Sequence, residues 1–261
     1  MDIQRQKQLK VLLAGDSCKD IYHYGSCERL SPEAPVPVLK LRYTEIKPGM
    51  VLNVKRNLES FSVDVDVLTN EQMITKERFV DIKTKNHLLR FDTGEQAPLS
   101  LIKIKTVKNV DFSKYDAVAL VDYNKGTLNK KNISIISREC KKNNIPLFVD
   151  SKKKDLSAFN NCILKINNKE EAAVERFPEK YELIVTHGSK GAVYQDKIYK
   201  ALPVEVYDVC GAGDTFFSAL VYKFLIQGNL EEAVKFANKC ARITVSRSGV
   251  YALSKEDLLG L

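Results

Sequence analysis

The chain has 261 residues, 44% apolar and 28% charged, with 41 Lys and Arg against 33 Asp and Glu for a net charge of +8. That length admits one large α/β domain or two small ones, and no apolar run reaches the ~18 residues of a membrane-spanning helix. The basic balance fits either nucleic-acid binding or a surface that draws phosphorylated ligands; the lysines are dispersed and no nucleic-acid-binding signature accompanies them, so no nucleic-acid or membrane partner is expected.

The start, Met1 to Lys10, is polar and basic, without a signal-peptide core or a small-residue cleavage site, and a cytoplasmic protein is expected. Val11-Leu12-Leu13-Ala14-Gly15 then ends at Asp16, the first of several short apolar runs that stop at a polar residue. Leu30 to Pro48 breaks the pattern with four prolines and the alternating segment Val38 to Tyr43, and Met73 to Phe91 reads as a second pair of polar-alternating strands. Alternation implies a sheet with one wet face, and these stretches, about 33–50 and 72–95, are expected to form a small β lid. The apolar runs resume with Ala117 to Val121 before Asp122, Leu147 to Val149 before Asp150, Ile163 to Ile166 before Asn167, and Leu183 to Val185 before Thr186. Such runs suit strands buried on both faces of a parallel sheet. Helical stretches lie between and after them: Asn129 to Asn143, Lys169 to Arg176, Phe216 to Ile226 with Gly228 as its stop, and one opened by Asn229-x-x-Glu232. The expectation is an α/β fold, a doubly wound and mainly parallel sheet flanked by helices, forming one domain over 1–261. Asp16, Asp122, Asp150, Asn167 and Thr186 would then share the carboxyl edge of the sheet, where such folds bind ligands. The six cysteines are scattered without a Cys-x-x-Cys pair, which argues against a disulfide scaffold or a zinc site.

The sharpest local signal is Asp208-Val209-Cys210-Gly211-Ala212-Gly213-Asp214-Thr215 ahead of the apolar helix. Small residues at a helix N-terminus let backbone N–H groups approach an anion, and the helix dipole adds to the attraction. A carboxylate in that first turn lies beside the anion, as phosphoryl transfer needs: donors for the transferring group and a base for the acceptor hydroxyl. A plain N-terminal cap with a first-turn charge is the alternative. No P-loop, dinucleotide fingerprint or protein-kinase catalytic loop is present to compete.

Gly-Ala-Gly-Asp preceded by Asp resembles the signature of the ribokinase-like carbohydrate kinases, the phosphofructokinase-B family. Gly15-Asp16-x-x-x-Asp20, Tyr24-Gly25 and Arg29-x-Ser31-Pro32-Glu33-Ala34-Pro35-Val36-Pro37-Val38 look like its heptose 7-phosphate kinase branch, which feeds ADP-heptose synthesis. Further matches are Leu89-Arg90-Phe91-Asp92, Asp122-Tyr123-x-Lys125-Gly126, Asn167-x-x-Glu170, Thr186-x-Gly188-x-x-Gly191 and Phe236-Ala237-Asn238, so the similarity runs from about Val11 to Gly249. The resemblance implies ATP and Mg2+ as cofactors, with K+ a further candidate, and a sugar phosphate as substrate. It implies Asp214 as catalytic base and the backbone of Gly211, Ala212 and Gly213 as anion hole. It places Asp16, Asp20 and Asn53 on sugar hydroxyls, and Lys125 and Lys152 on phosphates. Asn167 and Glu170 would organise magnesium, through water, and the triphosphate. Thr186, Gly188 and Gly191 would line the nucleotide site with Asn238 beside the adenine, and Asp208 would serve a monovalent cation. The lid implies a homodimer. Each residue has a plain alternative: Asn167-x-x-Glu170 as a helix cap, Asn238 as the polar face of its helix, Asp16 and Asp20 as a strand-to-loop exit.

Two departures concern the sugar end. Where the family carries Gly-Gly before a stretch ending in Asn, this chain has Pro48-Gly49-Met50-Val51-Leu52-Asn53. Between Leu68 and Glu71 it is shorter by roughly 30 residues, about one strand-helix unit, so Val65 to Thr69 should end a core strand and lead directly into the lid near Met73. Ser151 also replaces a proline after Asp150. A kinase for another sugar or nucleoside, or a catalytically weak sugar-phosphate-binding homologue, are the rival readings. With the sequence ending at Leu261, no nucleotidyltransferase module is expected to follow.

Overall fold

Every apolar run that ends in a polar residue is a strand of one sheet. The computed structural model describes residues 8–95, 102–247 and 249–261, so most of the polar start lies outside the described residues. In chain order the first half comprises β1 (Lys10–Gly15), β2 (Ser17–Leu30), β3 (Pro37–Met50), α1 (Val51–Ser60), β4 (Asp64–Thr69), β5 (Thr75–Asp81), β6 (His87–Thr93) and α2 (Ile104–Lys108). There follow β7 (Ala117–Asp122), α3 (Lys130–Lys142), β8 (Leu147–Ser151), β9 (Cys162–Asn167), α4 (Asn168–Ala173) and β10 (Tyr181–Thr186). The last elements are β11 (Ala192–Tyr194), β12 (Lys197–Tyr199), α5 (Ala212–Gln227), α6 (Leu230–Val245) and α7 (Lys255–Leu259).

The large sheet has the order β12-β11-β10-β9-β8-β7-β1-β4, parallel from β4 through β10, with β11 and β12 antiparallel at one edge. Its central strands β1, β7, β8 and β9 are buried on both faces, which explains their apolar runs. In β1, Val11 and Leu13 enter a core shared with α1, α5 and α6, while Leu12 and Ala14 enter the opposite core with Ile133 and Ile136 of α3. β7 divides likewise, Ala117, Ala119 and Val121 to the first core and Val118 and Leu120 to the second. The chain leaves β1 towards β4 on one side and returns at β7 on the other, so the switch point of the sheet lies between β1 and β7.

The second sheet has four strands in the order β3-β2-β5-β6. β3 and the β5–β6 pair fall where alternation places strands, but β2 does not: it begins at Ser17, directly after Asp16, and runs 14 residues. The face shared by Cys18, Asp20, Tyr22 and Tyr24 is half polar, so period-two hydrophobicity is too weak there to mark a strand. β4 ends at Thr69, Asn70 ties back to Ser17 (N–H to Oδ1, 2.7 Å), and the chain enters β5 at Thr75. No helix lies between Leu68 and Ile74, as the shortened segment requires.

Helix α1 is not among the elements that the sequence marks. Its buried face is Val51, Asn53, Val54, Asn57 and Leu58, a helical spacing disguised by two asparagines. α4 is shorter than expected, ending at Ala173, because the following residues turn to bridge Arg176 to Asp155. All six cysteines are free thiols, and no described helix is long and apolar enough to cross a membrane.

Candidate active site

α5 opens on Gly211, whose left-handed φ of 80° favours glycine and whose lack of a side chain leaves the helix without a side-chain cap. Helix geometry gives the first N–H groups no intrahelical acceptor, so those of Gly213 and Asp214 present an uncapped positive end. Asp208 shapes the approach: Oδ1 accepts from Cys210 N (2.9 Å) and Oδ2 from Gly249 N (3.0 Å), drawing two distant segments together at the turn.

Asp214 is only 8% exposed. Asn53 Nδ2 donates to its Oδ2 at 2.7 Å and the Tyr123 hydroxyl donates to Oδ1 at 2.9 Å. Burial raises its pKa above the ordinary carboxylate value, the nearby Asp150 charge adds to that, and the two donors and Lys165 pull it partly back. Asn53 is held by a chain of polar contacts across three helices. Asn57 Nδ2 donates to Asn53 O (2.9 Å), Thr215 Oγ1 to Asn57 Oδ1 (3.1 Å) and Thr244 Oγ1 to Thr215 Oγ1 (3.0 Å). Ser218 adds a bond to Val54 O on α1 (3.2 Å).

A cavity of about 130 Å³ lies in front of this helix end, walled by Gly211, Gly213 and Asp214 on one side and by the ends of β7, β8 and β9 on the other. β9 contributes Lys165, buried inside an apolar strand and paired with Asp150 (Nζ to Oδ2, 2.7 Å). Burial pulls its pKa down, but Asp150, Glu170 and Asp214 outweigh this and leave it raised, so Lys165 stays charged. A Cβ placed on Gly213 would lie 3.4 Å from its Nζ, which sets the ammonium at the mouth of the helix. Lys152, exposed along its length, tucks its ammonium 4.0 Å from the Tyr123 ring centroid, and loss of water there lowers its pKa. Glu170 faces the same space with its pKa raised, first by burial. Asp122 is buried, bonded to Lys153 (2.9 Å), with its pKa raised chiefly by burial. Lysines and free N–H groups suit phosphate oxygens. The described residues hold no cluster of three or more His, Cys, Asp or Glu side chains able to cage a metal; of the residues expected at magnesium, Glu170 and Asn167 both line the cavity, and could reach the ion only beside phosphates and water.

The structure brings some expected residues together and commits others elsewhere. Asn167 and Glu170 both reach the cavity, and they also form a complete capping box: Asn167 Oδ1 accepts from Lys169 N and Glu170 N, and Glu170 Oε2 accepts from Asn167 N. Asp16, fully buried at the switch point, accepts from Lys125 N and Thr127 N, both at 3.2 Å. Asp20 pairs with Arg78 at 2.6 Å, and Lys125 with Glu95 at 2.5 Å. Thr186 ends β10 with its hydroxyl directed to Ile166 O (3.5 Å), and Gly188 follows in open space. Gly191 is required by packing: φ is 98° and a Cβ would sit 2.1 Å from Tyr199 O. Asn238 donates to the same carbonyl at 2.8 Å, fastening α6 to β12. Met50 is 4% exposed, clustered with Cys18 and Ile74 against Tyr123. Its φ of 55° and ψ of −128° belong to a region that glycine adopts freely and other residues do not.

The sequence pattern gives no role to Lys165 or to Tyr123 on Asp214. A lysine within Ile163-Leu164-Lys165-Ile166 is a readable signal, since a charge in a doubly buried strand demands a partner. The Asn53–Asp214 and Tyr123–Asp214 bonds span 161 and 91 residues, and no local spacing announces them.

A larger cavity of about 520 Å³ opens under the second sheet, between the tyrosines Tyr22, Tyr24 and Tyr43 and the Tyr207–Asp208 segment. Lys47, Lys85 and Glu45 stand on its walls, and the buried Tyr22 hydroxyl there has no hydrogen-bond partner among the described residues.

The model of the pfkB family carbohydrate kinases matches residues 53–257. The bifunctional protein HldE of Campylobacter concisus is 32% identical, over 97% of this chain and 64% of that protein. HldE of Sulfurimonas denitrificans is 29% identical, over 99% and 65%. The chain thus spans less than two thirds of the length of these curated relatives. Among solved structures, phosphofructokinase-2 of Escherichia coli in complex with potassium matches with a TM-score of 0.73 at 18% identity, covering 97% of both chains. A ribokinase of Thermotoga maritima matches with 0.69 at 19% identity, covering 97% of this chain and 98% of that one. The fold is ribokinase-like, and the chain belongs to the pfkB family of carbohydrate kinases.

Proposed function

We propose that this sugar kinase phosphorylates a sugar phosphate, heptose 7-phosphate, to the 1,7-bisphosphate, with Asp214 as general base. The observation that carries the reading is the pairing of a buried carboxylate with an uncapped 16-residue helix end beside a lysine-lined cavity. The heptose assignment rests on the string from Ser31 to Val38, which resembles the heptose 7-phosphate branch, and on the similarity to the HldE proteins.

In this reading the N–H groups at the start of α5 and the Lys165 ammonium receive the charge of the transferring phosphoryl group, while Lys152 holds a neighbouring phosphate. Asp214 takes the acceptor hydroxyl's proton, and its raised pKa makes it a better base than an exposed aspartate. Bound magnesium supplies charge neutralisation and geometry on the phosphates. The acceptor's reacting end lies by Asp214 and Asn53. Its phosphate-bearing tail extends into the tyrosine-lined cavity, where Lys47 and Lys85 offer cations and the Tyr22 hydroxyl a hydrogen bond. The four-stranded sheet acts as the lid over that space. Leu41, Ile46, Leu89 and Phe91 are exposed on this sheet, and a second copy of the chain would cover them, giving a homodimer. ATP consumption screened across sugar phosphates tests the assignment: heptose 7-phosphate should give the highest kcat/KM, and a better acceptor of another class would replace it.

A further inference from the structure

Asp214 has a donor on each oxygen, and the two donors differ in kind. Asn53 is fixed in the first turn of α1 by the polar chain through Asn57, Thr215 and Thr244. Tyr123 is the first residue beyond β7, lines the phosphate cavity, and turns into Asn124, whose φ of 58° is left-handed. Its ring packs against the cluster of Met50, Cys18 and Ile74, and the Lys152 ammonium lies over its face. An O–H donating to the base, beside the helix end that faces the phosphoryl group, is the relation that general-base catalysis requires of an acceptor alcohol.

We infer that Tyr123 is an internal stand-in for the acceptor: its hydroxyl fills the place on Asp214 Oδ1 that a sugar hydroxyl takes during transfer, and denies that base to water until the sugar displaces it. The inference rests on the kinase reading above. A base open to water beside bound ATP promotes hydrolysis, which closed sites of this chemistry must suppress. The phenol fits a guard better than an acceptor, because burial and the charges of Asp214 and Asp150 hold its pKa well above the ordinary tyrosine value and keep the O–H intact. Tyr123 is in this sense a positioning residue, acting through Asp214 and through the space its ring occupies.

Tyr123→Phe keeps the ring and removes only the hydroxyl. ADP release from ATP and Mg2+ without sugar would be measured in wild type, Tyr123→Phe and Tyr123→Phe/Asp214→Asn. Sugar-free hydrolysis should rise in the single variant by up to about 10²-fold, the lower end for a base made available, and fall back in the double variant. The Michaelis constant for heptose 7-phosphate should drop, since no hydroxyl has to be displaced, with that for ATP unchanged. Hydrolysis at the wild-type level in folded Tyr123→Phe overturns the inference, as does a phosphate ester on Tyr123 after incubation with ATP. Should the variant not fold, wild-type protein carrying 13C-labelled tyrosine gives a second readout: the Tyr123 Cζ resonance should shift at a sugar concentration that saturates turnover, and an unmoved resonance refutes displacement. Absence of turnover with every sugar would instead sink the kinase reading, while the sugar-free hydrolysis series still reports on Tyr123.

Discussion

In the proposed reading, the phosphate end and the sugar end of this site are built by different means. At the phosphate end, backbone N–H groups at the start of α5 face Lys165, Lys152 and Glu170 across an open cavity, and the buried Lys165 is balanced by Asp150. At the sugar end the side chains have already found one another: Asp16 with the N–H groups of Lys125 and Thr127, Asp20 with Arg78, Asn53 and Tyr123 with Asp214, and Met50 with Cys18 and Ile74. Binding an anion at the first end needs little rearrangement, whereas binding an acceptor at the second must displace existing bonds. The comparison teaches that two ends grouped around one carboxylate, the nucleotide and sugar sites of the proposed reading, can still differ in how ready they are.

The largest effect that could break this contrast is at the shared base. Asp214→Asn should lower turnover about 10²-fold or more, the scale of a removed general base, while leaving ATP affinity nearly intact; steady-state kinetics beside equilibrium ATP binding decides it, and retained turnover would reduce Asp214 to a helix-end charge.

Next in size is the buried pair. Lys165→Met leaves Asp150 without its partner and should cost about 3 kcal/mol of stability, the low end for breaking a buried ion pair because Asp150 borders the cavity. It should also raise the Michaelis constant for ATP and not that for the sugar, as chemical denaturation and kinetics on one preparation would reveal. The reverse split would move Lys165 to the sugar end.

Met50 sharpens the contrast from the other side. Its burial against Cys18 and Ile74 opposes a side chain lying free in a sugar pocket, and its backbone sits where glycine is comfortable. Met50→Ala loses burial and keeps the strain, a cost of about 2–5 kcal/mol. Met50→Gly loses the same burial but relieves about 1–3 kcal/mol of strain, so the glycine variant should be the more stable of the two despite glycine's greater freedom in the unfolded chain. Thermal melts of both would test the order. Alanine melting higher would mean that Met50 carries no backbone strain.

The smallest expected effect is a displaced pH limb. With Asp214 as the proposed base, activity needs it ionised, and burial raises its pKa, so the acid limb of kcat/KM should lie above the ordinary 3.8 and fall as pH drops through it. The Asn53 bond favours the charged form and pulls the value back, so Asn53→Ala should move that limb to higher pH. Asp150, Glu170, Lys165 and Lys152 share the field, and the limb will report a macroscopic value for the set. A limb unmoved in Asn53→Ala would remove Asn53 from the control of the base.

The large sheet was legible because its central strands are buried on both faces, and Val11 to Gly15 or Ala117 to Val121 reads as nothing else. β2 and α1 were not, because Asp20, Tyr22, Asn53 and Asn57 turn polar groups inward and erase the period that marks a strand or a helix. Gly211, Gly213 and Asp214 could be read locally, since a helix start carries its chemistry in adjacent residues. Lys165 was legible in principle, as a charge in an apolar run. Tyr123 and Asn53 on Asp214 depend on contacts between segments far apart in sequence. The string from Ser31 to Val38, the most specific match in the chain, ends up at the turn between β2 and β3 and lines neither cavity. It speaks to kinship and not to the site's chemistry.

The most direct measurement is a 31P NMR time course of wild-type protein and of Asp214→Asn, each with ATP, Mg2+ and heptose 7-phosphate. The account predicts ADP and a new sugar phosphate ester appearing in equal amounts with wild type, and almost none of either with the variant over the same time. ADP with inorganic phosphate and no new ester, or equal ester formation by the two proteins, would contradict it.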